Sequence, residues 1–274
     1  MTRLLRTALY LVAIIQFALA IAFFFQIPQI TSRWPFPGTT PLTFMFVASI
    51  FAAAAASTLW ALATRTDGAL AGIGIDYVLI LLPVSVLFWQ SGASTGQVNM
   101  TVYAVICFLG AVFGVWLILR AVRIPIPSHP KVPALVRGSF VVFILALLAV
   151  SIQLILKVPD ILPWKITPEL SVLIGWMFIG AAGYFIYALL RPSWGNAGGQ
   201  LAGFLAYDLV LIVPFLQRLP GAPANFRTNL IIYIGVVVYS GLLAVYFLFI
   251  HKSTRLFGRP IESSGLEAVP AGIP

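Results

Sequence analysis

The sequence predicts an all-α integral membrane protein of eight transmembrane helices, arranged as two parallel four-helix repeats with both termini cytoplasmic. Three observations predict it. Charged residues are scarce, apolar runs of bilayer length occur eight times, and three of those runs match three others in order.

Of 274 residues, 61% are hydrophobic and 8% charged, with a mean hydropathy of +1.04. A soluble domain carries about 25% charged residues, whereas a spanning helix needs about 20 consecutive apolar ones. The eight runs lie at about 3–26, 40–64, 68–90, 98–123, 133–157, 168–191, 198–217 and 226–250. The first could pass for a secretory signal, with Arg3 and Arg6 before it and "ALA" at 18–20. It is longer than a signal core and has an internal relative, so it reads as a retained helix.

The net charge of +9 has an explanation other than nucleic acid, because basic residues gather at the cytoplasmic ends of spans. With the N-terminus inside, the inner segments hold Arg3, Arg6, Arg65, Arg120, Arg123, Lys131, Arg137, Arg191, Lys252, Arg255 and Arg259. The outer segments hold only Arg33, Lys157, Lys165, Arg218 and Arg227. Eleven against five places both termini in the cytoplasm. Trp34, Trp89 and Trp164 then fall at outer ends and Trp60 and Trp116 at inner ends, the depths that amphipathic rings favour.

The internal matches are gapless. "LLRTALYLVAIIQFALAIAFFFQIP" (4–28) aligns with "LVRGSFVVFILALLAVSIQLILKVP" (135–159) at an offset of 131. "TPLTFMFVASIFAAAAASTLWAL" (40–62) aligns with "TPELSVLIGWMFIGAAGYFIYAL" (167–189) at 127, with seven of 23 positions identical. "LAGIGIDYVLILLP" (70–83) aligns with "LAGFLAYDLVLIVP" (201–214), again at 131. Any one match between apolar sequences is weak, but three in order point to duplication. An even number of helices per unit makes the copies parallel, related by an axis along the membrane normal. The expected units are residues 1–130 and 131–250, followed by a flexible cytoplasmic tail at 251–274 rich in Gly, Pro and Ser.

Within the repeats, Thr40–Pro41 and Thr167–Pro168 are expected to start helices, Thr as cap and Pro at the first helical position. Small residues at Ala52–Ala56 and Gly180–Gly183 allow close helix approach. Pro83 and Pro214 free the carbonyls of Leu79 and Val210 and are expected to kink helices three and seven. "WGNAGG" (194–199) reads as a turn before helix seven.

Two acids break this apolar pattern. Asp76 lies about 12 Å into helix three at 1.5 Å per residue, and Asp208 lies at a similar depth in helix seven. No Lys or Arg occurs at that depth. A dry carboxyl without a cation is expected as the neutral acid. Tyr77 and Tyr207 adjoin the two acids in sequence, and Gln16, Tyr103, Tyr184 and Tyr187 are candidate partners across helices.

Other chemistry finds little footing. Cys107 is the only cysteine, and His129 and His251 are the only histidines. No disulfide, metal site or cofactor is therefore expected. "GIGID" and "YD" are similar to the Gly-x-Gly-Asp and Tyr-Asp motifs of intramembrane aspartyl proteases. Here the spacing is Gly-x-Gly-x-Asp, the order is reversed, and the two helices are parallel rather than antiparallel.

The leading expectation is a non-enzymatic accessory or scaffold subunit of a larger membrane assembly. Its surroundings would be the lipid bilayer and other membrane subunits or a second copy of itself, in a cell membrane such as the bacterial inner membrane. The alternative is a small proton- or cation-coupled transporter with Asp76 and Asp208 as its protonatable groups. An intramembrane aspartyl hydrolase is third.

Overall fold

A bilayer offers no hydrogen-bond partner to the backbone, so a spanning segment must satisfy its own N–H and C=O groups, and a helix does this within one segment. The computed structural model describes residues 2–36, 38, 40–95, 98–126 and 130–256. Among these residues there is no strand, and eight helices are long and apolar enough to cross. They are α1 (Arg3–Phe24), α2 (Pro41–Ala63), α3 (Leu70–Thr95), α4 (Val98–Ala121), α5 (Ala134–Ile155), α6 (Pro168–Leu190), α7 (Trp194–Arg218) and α8 (Ala224–Val245). The chain is a multi-pass membrane protein whose outer helices present residues such as Ile14, Phe17, Leu109, Leu145 and Ile232 to lipid.

Helix ends follow local chemistry. Thr167 caps α6, its hydroxyl accepting from the Leu170 N–H at 3.2 Å. Thr40 was expected to do the same for α2 and does not. Its hydroxyl is buried without a partner among the described residues. The stretch 194–199 is also not a turn. Ser193 caps a helix that begins at Trp194, accepting from the Asn196 N–H at 3.4 Å, and "WGNAGG" forms its first turns. A capping serine outweighs the low helix propensity of three glycines packed against neighbours.

Two helix ends are alike in detail. After α1, Gln26 takes φ 51°, and the Ile27 N–H donates to the Ala22 carbonyl at 2.9 Å. After α5, Lys157 takes φ 58°, and the Val158 N–H donates to the Gln153 carbonyl at 2.9 Å. A non-glycine residue in this left-handed region costs about 1–2 kcal/mol, and each is followed two residues later by a proline that stops the helix. Helices α3 and α7 continue through Pro83 and Pro214. Beyond α8, Thr254 donates to the Phe247 carbonyl at 2.7 Å, folding residues 251–256 back on the helix end. His129, Arg259 and the rest of the tail lie outside the described residues.

The principal helix pairs are α1 with α2, α2 with α7, α3 with α4, α3 with α6, α5 with α6, and α7 with α8. Helices α2 and α6 are central, with 56% and 61% of their spans buried, against 22–33% for α1, α4, α5 and α8. Lipid tails are as apolar as leucine, so helices associate through close packing rather than through removal of apolar surface from water. Glycines set the closest approaches. A Cβ on Gly74 would lie 2.6 Å from the Gly114 carbonyl oxygen, and one on Gly114 would lie 2.8 Å from that of Gly74. Gly72 meets the Tyr184 ring across α3 and α6, and Gly203 meets the Ser57 hydroxyl across α7 and α2.

Because backbone cannot yield as a side chain can, Gly74→Ala and Gly114→Ala are each expected to cost about 1–3 kcal/mol. Gly138→Ala and Gly235→Ala, where a Cβ meets nothing within 4 Å, should leave stability unchanged or slightly raised. Unfolding midpoints in mixed micelles check both.

Candidate functional site

Between the helices lies a cavity of about 1000 Å³, lined by residues from all eight spans and by the connections after α1 and α5, including Trp34, Pro35 and Ile161–Pro163. Its walls are mainly apolar and aromatic. Phe51, Phe143, Phe178, Phe185 and Phe204 stand around it, with Phe185 and Phe204 edge to face at 4.6 Å between ring centres.

The polar minority of the lining gathers around the two acids. Asp76 and Asp208 both line the cavity. The Asp76 carboxyl lies against α6 at Gly180, where a Cβ would come within 2.7 Å of its Oδ1. Asp208 is 4% exposed and lies beside Ser240, with Oδ2 3.5 Å from the Cβ position of Gly241. The Ser240 hydroxyl donates to the Val236 carbonyl at 2.8 Å, and Asp208 Oδ2 has no protein partner among the described residues. The two carboxyls thus face different helices, α6 and α8, and meet only through the shared space.

The expected partners are elsewhere. Gln16 Nε2 donates to the Tyr77 hydroxyl at 2.8 Å, joining α1 to α3. Tyr207 hydrogen-bonds Tyr233 of α8. Tyr103 donates to the Arg33 carbonyl at 2.7 Å, at the cavity mouth, and Tyr187 donates to the Gly68 carbonyl at 2.9 Å. None of these four bonds goes to an aspartate. Tyr184 stands near Asp76 and Tyr77 and lines the cavity.

Several site residues had no part in the sequence reading. Gln200 lines the cavity at 2% exposure, its Nε2 donating to the Tyr184 carbonyl at 3.0 Å and its Oε1 unpartnered. It follows the stretch read as a turn, so the sequence placed it too near a helix start to be part of a buried site. Tyr233 and Ser240 belong to α8, the span with the weakest internal match. A lone Tyr or Ser in an apolar run announces nothing by itself.

Among the described residues no group of three His, Cys, Asp or Glu side chains could hold a metal. No protein-family model, no curated protein and no solved structure matches the chain.

The cavity takes added bulk where the core does not. Ala54→Phe and Ala181→Phe, which line it, should stay within about 1 kcal/mol of wild type. Ala48→Phe and Ala182→Phe, at 0% exposure and off the cavity, should lose about 3 kcal/mol or fail to fold. Unfolding midpoints of the four variants decide it.

Proposed function

We propose that this protein is a small non-enzymatic membrane carrier that holds a bulky, largely apolar molecule in the central cavity, with Asp76 and Asp208 as its protonatable groups. One observation carries the reading: a cavity of about 1000 Å³ reaches both intramembrane acids. Small-molecule sites are concave and mainly apolar, typically about 300–1,000 Å³, with a few polar groups that fix orientation. Ionisable side chains within spans are rare and mark substrate or proton paths. A scaffold subunit needs lipid- and partner-facing surface; it has no use for an internal space ending on two acids.

Duplication supports the same reading. Exchanging the first four helices for the last four maps each principal helix pair onto another. The left-handed residues Gln26 and Lys157 are 131 apart, as are the donors and acceptors of their helix-ending bonds. Gly72 and Gly203 correspond at 131, and their contacts Tyr184 and Ser57 correspond at 127. On this reading the two units are parallel copies with the binding site between them, as in other membrane carriers built from repeats, and the excess of basic residues in the inner segments favours cytoplasmic termini. The hydrolase reading loses support, since carboxyls that face different helices do not form the proton-sharing pair it needs.

Gentle-detergent purification from the native membrane, with mass spectrometry of what stays bound, tests the proposal. A carrier retains a small molecule that Ala181→Phe excludes. Stoichiometric protein partners with no small molecule would favour the accessory-subunit reading instead. With the retained molecule in proteoliposomes, folded Asp76→Asn and Asp208→Asn proteins should lose uptake by about tenfold or more.

A further inference from the structure

The polar groups left over inside the cavity are nearly all of one kind. Asp208 Oδ2, Gln200 Oε1 and Gln16 Oε1 are buried without a protein partner, and no hydrogen bond to Asp76 occurs among the described residues. Beside a positive partner both carboxyls ionise, and the Asp76, Asp208 and Gln200 atoms are then all acceptors. The Gln200 amide cannot be turned round, because its Nε2 serves the Tyr184 carbonyl, which only accepts. Among the described residues the single orphaned donor in the lining is Trp34 Nε1, near the mouth.

Positive charge is missing from the same space. Arg33, exposed at the mouth, is the only Lys, Arg or His of the lining among the described residues. The titratable groups near Asp76 are the phenols Tyr77 and Tyr184, and those near Asp208 are Tyr207 and Tyr233. Cys107 of α4 also faces the cavity. Aromatic faces complete the wall, and ring faces attract cations. Unmet acceptors, two acids, no internal cation and many rings describe a counter-surface for a positive, donor-bearing head on an apolar body.

We infer that the molecule held in this cavity is a lipophilic cation, its positive, donor-bearing head facing the acceptor atoms that Asp76, Asp208 and Gln200 present to the cavity and its apolar body against the Phe51, Phe143, Phe178 and Phe204 rings. The inference rests on the carrier reading above and adds the ligand's charge. A neutral or anionic molecule of the same size would leave the carboxyls and Gln200 Oε1 unanswered, and an unanswered buried acceptor costs about 1–3 kcal/mol.

The test uses two ions of one shape and opposite charge. Binding of 2,2-diphenylethylammonium and of diphenylacetate is measured by equilibrium dialysis on the purified full chain in neutral detergent, with empty micelles as background. The expected result is saturable binding of the ammonium near one per chain, at least about tenfold tighter than the carboxylate, and weakened by about tenfold in Asp208→Asn or Asp76→Asn. Asp208→Glu should restore part of it. The comparison of the two ions on wild type needs no variant to fold. Equal binding of both ions, abolished by Ala181→Phe, would overturn the cationic assignment and leave the carrier reading standing. Binding of neither ion, or binding unaffected by Ala181→Phe, would overturn both.

Discussion

Everything in this fold depends on how closely two helix backbones approach inside a medium as apolar as the side chains themselves. Burying leucine against leucine gains nothing over burying it in lipid, so contact distance decides which helices stay together. At Gly74 and Gly114 neither helix carries a side chain, and each glycine faces the other's carbonyl oxygen. Gly72 against Tyr184 and Gly203 against Ser57 make the two crossings that tie the first four helices to the last four. These crossings hold α2, α3, α6 and α7 at the centre, and the proposed site lies among them.

The polar groups show what the same arrangement costs. Hydrogen bonds across helices answer some of them: Gln16 to Tyr77, Tyr207 with Tyr233, Ser57 to the Gly199 carbonyl at 3.0 Å, Trp60 to the Gly195 carbonyl at 3.0 Å. Those bonds fasten the bundle. Asp208 Oδ2, the Gln200 carbonyl oxygen and the Asp76 carboxyl are not used that way among the described residues. Packing alone does not account for two acids held at comparable depth against glycines and serine, facing a common space. The proposed ligand site gives them a role.

Much of the architecture was legible in the sequence because the bilayer fixes both helix length and charge tolerance. All eight spans were placed within about five residues; the start of α7 was missed because glycine and asparagine suggested a bend and the cap at Ser193 was overlooked. That error also hid Gln200. The proline-bounded ends of α1 and α5 were visible as aligned prolines before their matching backbone geometry was seen. The inward faces were not legible. In a soluble helix hydrophobicity separates core from surface, but here lipid-facing and core-facing positions are both apolar, so periodicity carries little signal. A cavity is a volume between such faces and has no sequence signature of its own. The two aspartates could be recognised as out of place, yet their neighbours, Gly180 for Asp76 and Ser240 with Gly241 for Asp208, required the fold.

The central claim is that the space between the proposed repeats is a ligand site rather than a packing fault or a socket for another chain. A high-resolution structure of the protein extracted from its native membrane into lipid nanodiscs tests it most directly. The account predicts density for a discrete non-protein molecule in contact with Asp208 and Gln200 and framed by the Phe178 and Phe204 rings. A cavity closed by inward movement of α2 and α6, or one filled by a helix of a partner subunit, would contradict it.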